Sequence, residues 1–447
     1  MKLHQIALAV AALAAGSAQA TALNPSLVVY LDGATATKQT VVDVASYMCA
    51  GHTGVSYKDS TGKITGVFCS AGMDASSGLA TSLKVFMTKN NADGSLETFD
   101  RALSRKAQTK VLDDANCDTA TKICGTKLVD AHGGFSDVDQ NVWIGRGQFN
   151  PALVAGGYTV KAGFAGQGFG LAVSTKLYEA LQAQQGLTVG AMDDANRPNI
   201  TSQQYASILS TSGGYKYDWS PILPGVAGSD AKYLNLCRRV TSSGTQASMD
   251  AFFLNNPCAN AKPTFGMFDS VRAVDFPTDN SNGMAVFEAP GTGDVLNCLS
   301  RRNKDMNDSA TGTPTGSSGA LENEWAIGVA SLENADGKAD SEGVANGWHY
   351  VKLDGVSPVE EAGQRQSVVD GRYNFAEEMV LAYRNDAPAN VKTYLGKMAG
   401  LMGDPSKVAP LTGIFVVPGA SSHSAYPNRV HKGTRFGNAC SPFALFE

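Results

Sequence analysis

The feature that most constrains this chain is the segment 236–245, where a strand-like run passes an arginine and a Ser-Gly-Thr turn directly into a helix. Met249, Phe252 and Phe253 give that helix an apolar face with i, i+3, i+4 spacing. The N-terminus of a helix presents free backbone N–H groups and partial positive charge, which together attract anions. The segment therefore predicts either an ordinary capped helix or a binding site for an anion.

Four residues of this segment are candidate ligand-binding residues. Arg239 carries a planar fork of donors that matches an oxyanion. Ser243 and Thr245 add hydroxyl donors, and Gly244 allows the backbone to come close to a ligand. A single turn of this kind is weak evidence, so its recurrence elsewhere in the chain matters.

Length and composition describe an ordinary globular protein. A chain of 447 residues is long enough for about two to three domains. Hydrophobic residues make up 43% of the sequence and charged residues 17%, which excludes a disordered or fibrous chain. The formal net charge of −5 argues against a nucleic-acid or anionic-membrane partner held by bulk charge.

The N-terminal residues 1–20 are predicted to be a secretory signal peptide. Lys2 supplies a short basic region, residues 6–15 are apolar, and Ala18-Gln19-Ala20 is an A-x-A cleavage site. The apolar run is too short to span a bilayer. We therefore expect an exported mature protein that begins near Thr21.

The eight cysteines are predicted to form disulfides rather than a metal site. Their number is even, and an exported protein meets an oxidising environment. Eight cysteines allow 105 complete pairing patterns, so the connectivity stays open, and a bridge between the close pair Cys117 and Cys124 is the one we expect. Neither a metal nor another cofactor is expected.

Two stretches show a strand, a small-residue loop and a helix in succession. Residues 27–31 are strand-like and are followed by the loop 33–37. Residues 83–88 are strand-like and are followed by a turn at Gly94-Ser95. This pattern predicts an α/β fold with a mostly parallel sheet, whose ligands bind at the carboxyl ends of the strands.

Other segments read as additions to that scaffold or as links within it. Residues 49–75 and 106–124 look like insertions. The glycine-dense segment 163–170 is interpreted as the first passage between domains. Near the end, an apolar stripe from Val391 to Met402 is interpreted as one buried face of a helix.

Catalytic motifs are not found. The sequence has no G-x-S-x-G elbow, no H-E-x-x-H and no G-x-x-x-x-G-K-[ST] loop. Its six histidines show no metal-ligand spacing. We therefore expect a protein that is not an enzyme and has no catalytic residues.

Four small-residue loops in a fixed order carry the main resemblance to a known family. They are residues 33–37, 94–95, 134–138 and 239–245. In this order, after an export signal, they resemble the phosphate-binding receptors of ABC importers, which are type II periplasmic binding proteins. The segments 198–209, 325–329 and 371–375 also resemble parts of that family.

The resemblance implies a set of ligand-binding residues from two lobes. Arg239, Ser243, Gly244 and Thr245 would hold the anion from the second lobe. From the first lobe, Ser136-Asp137 matches the family's Ser-Asp pair, whose aspartate accepts a proton from the oxyanion. Ser95 matches a serine in the second loop, and Thr35 and Ala36 stand in the first loop, which departs from the family pattern.

The same resemblance implies a two-lobed α/β fold with a hinge between the lobes. Lobe one would comprise residues 21–165 plus 372–447, and lobe two residues 166–371. The ligand would be phosphate or a similar oxyanion, bound in the cleft by a monomer. An inner-membrane ABC permease would be the partner, and the location would be the periplasm or, alternatively, the extracellular space.

Two other functions remain open at this point. A secreted phosphatase on the same scaffold would release product from a chromogenic phosphate ester without added metal. An extracellular surface or matrix protein that reuses the fold would be found outside the cell with an empty or collapsed cleft. The extra loops and the disulfides favour the surface or matrix protein, whereas the sequence supplies neither a metal cluster nor an activated nucleophile for a phosphatase.

Overall fold

The structure, a computed structural model, describes residues 22–92, 94–209, 218–230, 234–258, 284–304, 325–340, 343–360, 365–407, 414–419 and 421–445. The proposed signal peptide, residues 1–20, lies outside the described residues. Among the helices that are described, none combines the length and the apolar character needed to cross a membrane.

The described chain forms eighteen strands. The first eight are β1 (Leu27–Gly33), β2 (Val55–Lys58), β3 (Ile64–Phe68), β4 (Val85–Asn90), β5 (Thr109–Asp118), β6 (Ile123–Val129), β7 (Gly133–Ser136) and β8 (Tyr158–Ser174). The others are β9 (Asn199–Ile200), β10 (Leu234–Arg239), β11 (Met284–Ala289), β12 (Ala326–Ser331), β13 (Trp348–Tyr350), β14 (Lys352–Leu353), β15 (Ala376–Arg384), β16 (Ile414–Val416), β17 (Gly433–Thr434) and β18 (Ala444–Leu445).

Eight α-helices accompany them in the described residues. They are α1 (Lys38–Tyr47), α2 (Gln140–Gly145), α3 (Thr175–Gln184), α4 (Ser202–Leu209), α5 (Gly244–Leu254), α6 (Thr292–Asn303), α7 (Gln366–Val369) and α8 (Ala389–Met402). A π-helix covers Thr98–Leu103, where the sequence predicts the helix after the Gly94-Ser95 turn.

One long sheet runs through both lobes of this α/β fold. Its strand order is β11-β10-β12-β8-β15-β7-β1-β4-β3-β2-β6-β5, and β13 and β16 also pair with β8. We use the name first lobe for β1 to β7 and β15 to β18 with their helices, and second lobe for β9 to β14 with theirs. Strand β8 belongs to both, because it pairs with β15 in one lobe and with β12 and β13 in the other.

The sheet as a whole is mixed rather than mostly parallel. The parallel arrangement that the sequence predicts is present at the centre of each lobe, where β1 pairs with β4 and β7, and β10 pairs with β11 and β12. Strands β8 and β15 run antiparallel to each other where they connect the lobes. The inserted strands add further antiparallel pairs, since short connections join neighbouring strands in opposite directions.

The two predicted insertions build a curled extension of the first lobe. Strand β5 folds back over the sheet, where the hydroxyl of Thr109 donates to Asp32 Oδ2 at 2.6 Å and the backbone N–H of Leu112 donates to Thr88 Oγ1 at 3.1 Å. A separate hydrophobic cluster around Phe86 and Phe68 fills the resulting half-barrel. Because β3 pairs antiparallel with β4 and Ile64 lies opposite Asn90, the turn between β2 and β3 is at the same end of the sheet as the predicted ligand-binding loops.

The glycine-dense segment 163–170 lies inside β8 and is a strand rather than a loop. Its glycines are needed for packing: a Cβ atom on Gly166 would lie 2.2 Å from the ring of Phe415, and one on Gly170 would lie 2.6 Å from the ring of Tyr350. The proposed domain boundary between residues 165 and 166 therefore falls within this strand, and the one between 371 and 372 falls between α7 and β15.

Each lobe has its own apolar core. The stripe from Val391 to Met402 is the buried face of α8 and packs in the core of the first lobe, as the sequence predicts. The larger cluster of the second lobe contains Trp219, Trp325 and Trp348.

All eight cysteines are paired. The bridges are Cys49–Cys69, Cys117–Cys124, Cys237–Cys298 and Cys258–Cys440. The predicted Cys117–Cys124 bridge is confirmed. Cys258–Cys440 differs from the others because it joins the turn after α5 in the second lobe to the C-terminal segment of the first.

Replacing both cysteines of the Cys258–Cys440 bridge by serine should lower the free energy of unfolding. The bridge closes a loop with a sequence separation of 182 residues, whereas Cys117 and Cys124 are 7 apart. In the chain-entropy model this difference makes the long bridge more stabilising by about 3 kcal/mol. Urea unfolding compares this variant with one in which Cys117 and Cys124 are both replaced by serine. An equal loss of unfolding free energy in the two variants would contradict the prediction.

Candidate functional site

The four predicted loops meet between the lobes. Strand β1 is central to the first lobe's parallel set and has β4 on one side and β7 on the other. The loops after these three strands therefore lie side by side at one edge of the sheet, as the carboxyl ends of parallel strands do. The loop after β10 approaches them from the second lobe.

The closest approach is between Gly244 and the pair Ser95 and Asp137. The hydroxyl of Ser95 donates to Asp137 Oδ2 at 3.2 Å and accepts from the backbone N–H of Asp137 at 3.1 Å. A Cβ atom on Gly244 would lie 2.3 Å from Ser95 Oγ and 2.5 Å from Asp137 Oδ2. Only glycine allows the N-terminus of α5 to come this close.

A second contact fixes the same approach. The backbone N–H of Leu96 donates to the carbonyl of Ser242 at 3.1 Å, and a Cβ atom on Gly94 would lie 2.1 Å from that carbonyl oxygen. The Gly94-Ser95 turn of the first lobe thus touches the Ser-Gly-Thr turn of the second through its backbone.

Asp137 is the most unusual group in the site. Its side chain is 3% exposed, and Oδ1 is buried without a hydrogen-bond partner among the described residues. Burial raises the pKa of Asp137 to about 6, although Arg239, Lys89 and the bond from Ser95 favour its ionised form. A buried acceptor with no partner is costly, so this carboxylate is suited to a ligand that brings a proton.

Arg239 is buried beside this centre, with 4% of the residue exposed. Nε, Nη1 and Nη2 donate to the Ala289 carbonyl at 3.3 Å, to Thr292 Oγ1 at 3.1 Å and to the Pro290 carbonyl at 2.7 Å. Three of its five N–H groups therefore hold the N-terminus of α6. Burial lowers the pKa of Arg239 to about 10 against the attraction of Asp137, so the residue stays charged at neutral pH.

The first loop is held by contacts with β4. Thr35 donates its hydroxyl to the carbonyl of Asn91 at 2.8 Å, and Ala36 is buried. Both residues lie in a short 3-10 helix, Thr35–Thr37, that leads into α1. Among the described residues, neither of them forms a hydrogen bond with Asp137.

The other predicted residues are buried at the same place. The hydroxyl of Ser136 donates to the Val138 carbonyl at 2.7 Å and accepts from Trp143 Nε1 at 3.3 Å, so it supports its own loop. Ser243 is the N-cap residue of α5, and Thr245 lies in the first turn of that helix. The geometry thus brings together Ser95, Asp137 and the start of α5, and leaves Ser136 turned toward its own chain.

Lys89 was not singled out from the sequence. Its ammonium group, fully buried at the carboxyl end of β4, donates to the Ala34 carbonyl and to Asn91 Oδ1, both at 2.7 Å. It therefore ties the first loop to the second and attracts Asp137. A lysine near the end of a buried strand, five residues before the second loop's glycine, would have been a usable signal.

Glu333, just after β12, is a second carboxyl group near the centre. It accepts from the hydroxyl of Ser331 at 3.2 Å. The residue as a whole is exposed to solvent, although protein atoms crowd its carboxyl group. Loss of hydration and the nearby charge of Asp137 raise the pKa of Glu333 to about 7.

A cavity of about 130 Å³ lies between the lobes beside this centre. It is lined by Thr35, Lys38, Gly62, Lys63, Asn91 and Ala92 from the first lobe and by Pro290, Gly291 and Asp294 from the second. The residues Gly62 and Lys63 come from the β2–β3 turn, so an insertion contributes to the mouth of the cleft.

Around this cavity the lobes are packed against each other. Helix α5 is buried at ten of its eleven positions, and Ala247 on it packs with Val138 and Val380 of the first lobe. The ion pair between Arg146 Nη2 and Asp250 Oδ2, at 3.3 Å, also crosses between the lobes. The structure is therefore in a closed arrangement.

No model of a protein family matches the sequence, and no curated protein matches it either. Among solved structures, an ABC-type phosphate transport receptor from Vibrio cholerae aligns with a TM-score of 0.37 and 10% identity, covering 83% of this chain and 93% of that one. A full-length OxyR variant from Pseudomonas aeruginosa aligns with a TM-score of 0.33 and 8% identity, covering 89% and 72%. Both scores lie below 0.5, so neither likeness identifies a ligand.

Because the carboxyl group of Asp137 is buried, the difference in stability between the wild type and Asp137→Asn should depend on pH. A raised pKa means that folding penalises the ionised form, and the penalty is complete above pH 6 and absent below about pH 4. The asparagine variant should therefore be more stable than the wild type by about 2–3 kcal/mol at pH 7.5. At pH 4 the two should be equal.

Urea unfolding of both proteins at the two pH values measures this difference. Groups that titrate elsewhere in the protein cancel in the comparison. If Asp137→Asn is less stable than the wild type at pH 7.5, folding does not penalise the ionised form of Asp137 and its pKa is not raised.

Proposed function

We propose that this chain is an exported, non-catalytic receptor that binds phosphate or a related oxyanion between its two lobes. The observation that carries the proposal is the buried and unpartnered Oδ1 of Asp137. It lies where the N-terminus of α5 meets the Ser95 loop, within electrostatic reach of Arg239 and Lys89. A partly protonated oxyanion satisfies every one of these groups at once.

The chemistry of the ligand follows from the donors and the acceptor. The backbone N–H groups at the start of α5 and the positive charges of Arg239 and Lys89 favour an anion. Asp137 as an acceptor favours an anion that still carries a proton, such as hydrogen phosphate. A fully ionised anion such as sulfate would leave Asp137 unpaired and would be repelled by it.

The proposed binding strength is ordinary for a receptor. Hydrogen bonds to charged groups contribute roughly 1.5–3 kcal/mol each. Four or five of them support micromolar binding, about −8 kcal/mol, after the costs of ordering the cleft. No covalent step is required.

The partner and the location belong to the same proposal. The four disulfides fit an oxidising compartment, which in a bacterial cell is the periplasm or the exterior. A periplasmic monomer that delivers its anion to an ABC permease in the inner membrane is the arrangement we propose.

Calorimetric titration with inorganic phosphate should show micromolar binding by the wild type. Arg239→Ala should weaken it about ten- to hundredfold, since one buried positive charge near the anion is lost. Arg239→Lys, which keeps the charge, should recover part of that loss.

The matched control is Arg372→Ala, because Arg372 is exposed and lies outside the cleft. It should bind phosphate like the wild type. If the wild type shows no heat of binding and no thermal shift at millimolar phosphate, the receptor proposal is refuted.

Selectivity tests the role given to Asp137. The wild type should prefer phosphate to sulfate, and Asp137→Asn should reduce that preference at least about tenfold, since an amide does not repel sulfate and can donate to it. Competition titrations at pH 7.5 measure the ratio. An unchanged ratio would show that Asp137 does not take the ligand's proton.

A further inference from the structure

We propose that the phosphoryl group recognised by this receptor carries a small polyol, which the cavity between Lys38 and Asp294 holds. The ligand class is then a phosphate monoester of a short polyhydroxy alcohol rather than the bare ion. This inference rests on the proposed function, because it assumes that the phosphoryl group binds at Asp137.

The cavity adjoins the polar centre on both of its walls. On the second lobe, Arg239 donates to the carbonyl of Pro290, which lines the cavity. On the first lobe, Lys89 donates to Asn91 Oδ1, and Asn91 lines the cavity with Thr35. The two cations that attract Asp137 therefore each bond to a residue of one wall, so the cavity is next to the groups proposed to hold the anion.

The walls offer opposite kinds of hydrogen-bonding group. Lys38 and Lys63 on the first lobe bring ammonium donors, while Asp294 on the second brings a carboxylate acceptor. Lys38 donates to the Gly62 carbonyl at 2.7 Å, and Asp294 Oδ2 accepts from the N–H of Gly291 at 2.9 Å, which fixes both side chains. A hydroxyl group both accepts and donates, so neighbouring hydroxyls of one ligand can bridge the two walls.

The balance of charge argues against a second anionic group on the ligand. Asp294 opposes the two lysines, and Glu333 is also within electrostatic reach of Lys38. The cavity has therefore no large excess of positive charge. A neutral, hydroxyl-rich group fits it better than a second phosphate or a carboxylate.

The size of the cavity points to a short chain. Its volume of about 130 Å³ has room for several water molecules. A three-carbon polyol displaces that amount of water and replaces its hydrogen bonds with its own hydroxyls. Because the turn from Gly62 to Lys63 belongs to an insertion, this subsite is a property of the chain's additions.

Calorimetry at about pH 6 with two named probes, inorganic phosphate and glycerol 3-phosphate, tests the inference. At this pH a phosphate monoester, whose second pKa is about 6, still carries in part the proton that Asp137 accepts. The wild type should bind glycerol 3-phosphate about tenfold or more tightly than phosphate. Lys38→Leu and Asp294→Asn should each bring the ratio of the two dissociation constants to within about twofold of one. The ratio is the readout because a change in overall charge affects both probes alike.

Lys58→Leu is the control, since Lys58 is exposed on β2 and does not line the cavity. It should keep the wild-type ratio. Phosphate binding with weaker binding of glycerol 3-phosphate would overturn this inference and leave the receptor proposal intact, as would a ratio unaffected by both cavity variants. Binding of neither probe would refute the receptor proposal and this inference with it.

Discussion

The contact on which the site depends is that between Gly244 and the carboxylate of Asp137. It brings the positive end of α5 against a buried acid of the other lobe, and the hydroxyl of Ser95 lies beside both. Three independent loops must be in register for this contact to form. The parallel order of β4, β1 and β7 supplies that register, because it places two of the loops on either side of the first.

The same contact explains why so many charges are buried at the cleft. Asp137, Arg239 and Lys89 each lose hydration, and each is compensated by neighbours that the fold positions. Lys89 has four oxygen acceptors within 3.5 Å, and Arg239 has three. Of these three groups, only Asp137 keeps a polar atom without a hydrogen-bond partner among the described residues, and an unmatched acceptor in a charged setting is where a ligand fits.

Much of this arrangement could be predicted from local sequence. The strands before the loops, the helix after Gly244 and the Cys117–Cys124 bridge all follow from short-range patterns. The antiparallel strand β8, the back-folded β5 and the role of Glu333 could not, since they depend on pairings between distant residues. Ser136 illustrates the limit: its motif suggested a ligand, yet its hydroxyl bonds to Val138 two positions on.

The lobes are joined covalently at three places: along β8, through the chain between α7 and β15, and by Cys258–Cys440. Two chain crossings alone leave the lobes free to rotate about the line between them, and a third covalent link restricts that rotation. Opening of the cleft is therefore more restricted than the two crossings alone would make it. Reduction of Cys258–Cys440 removes one of these links, so the extent to which the cleft opens should depend on the redox potential of the compartment.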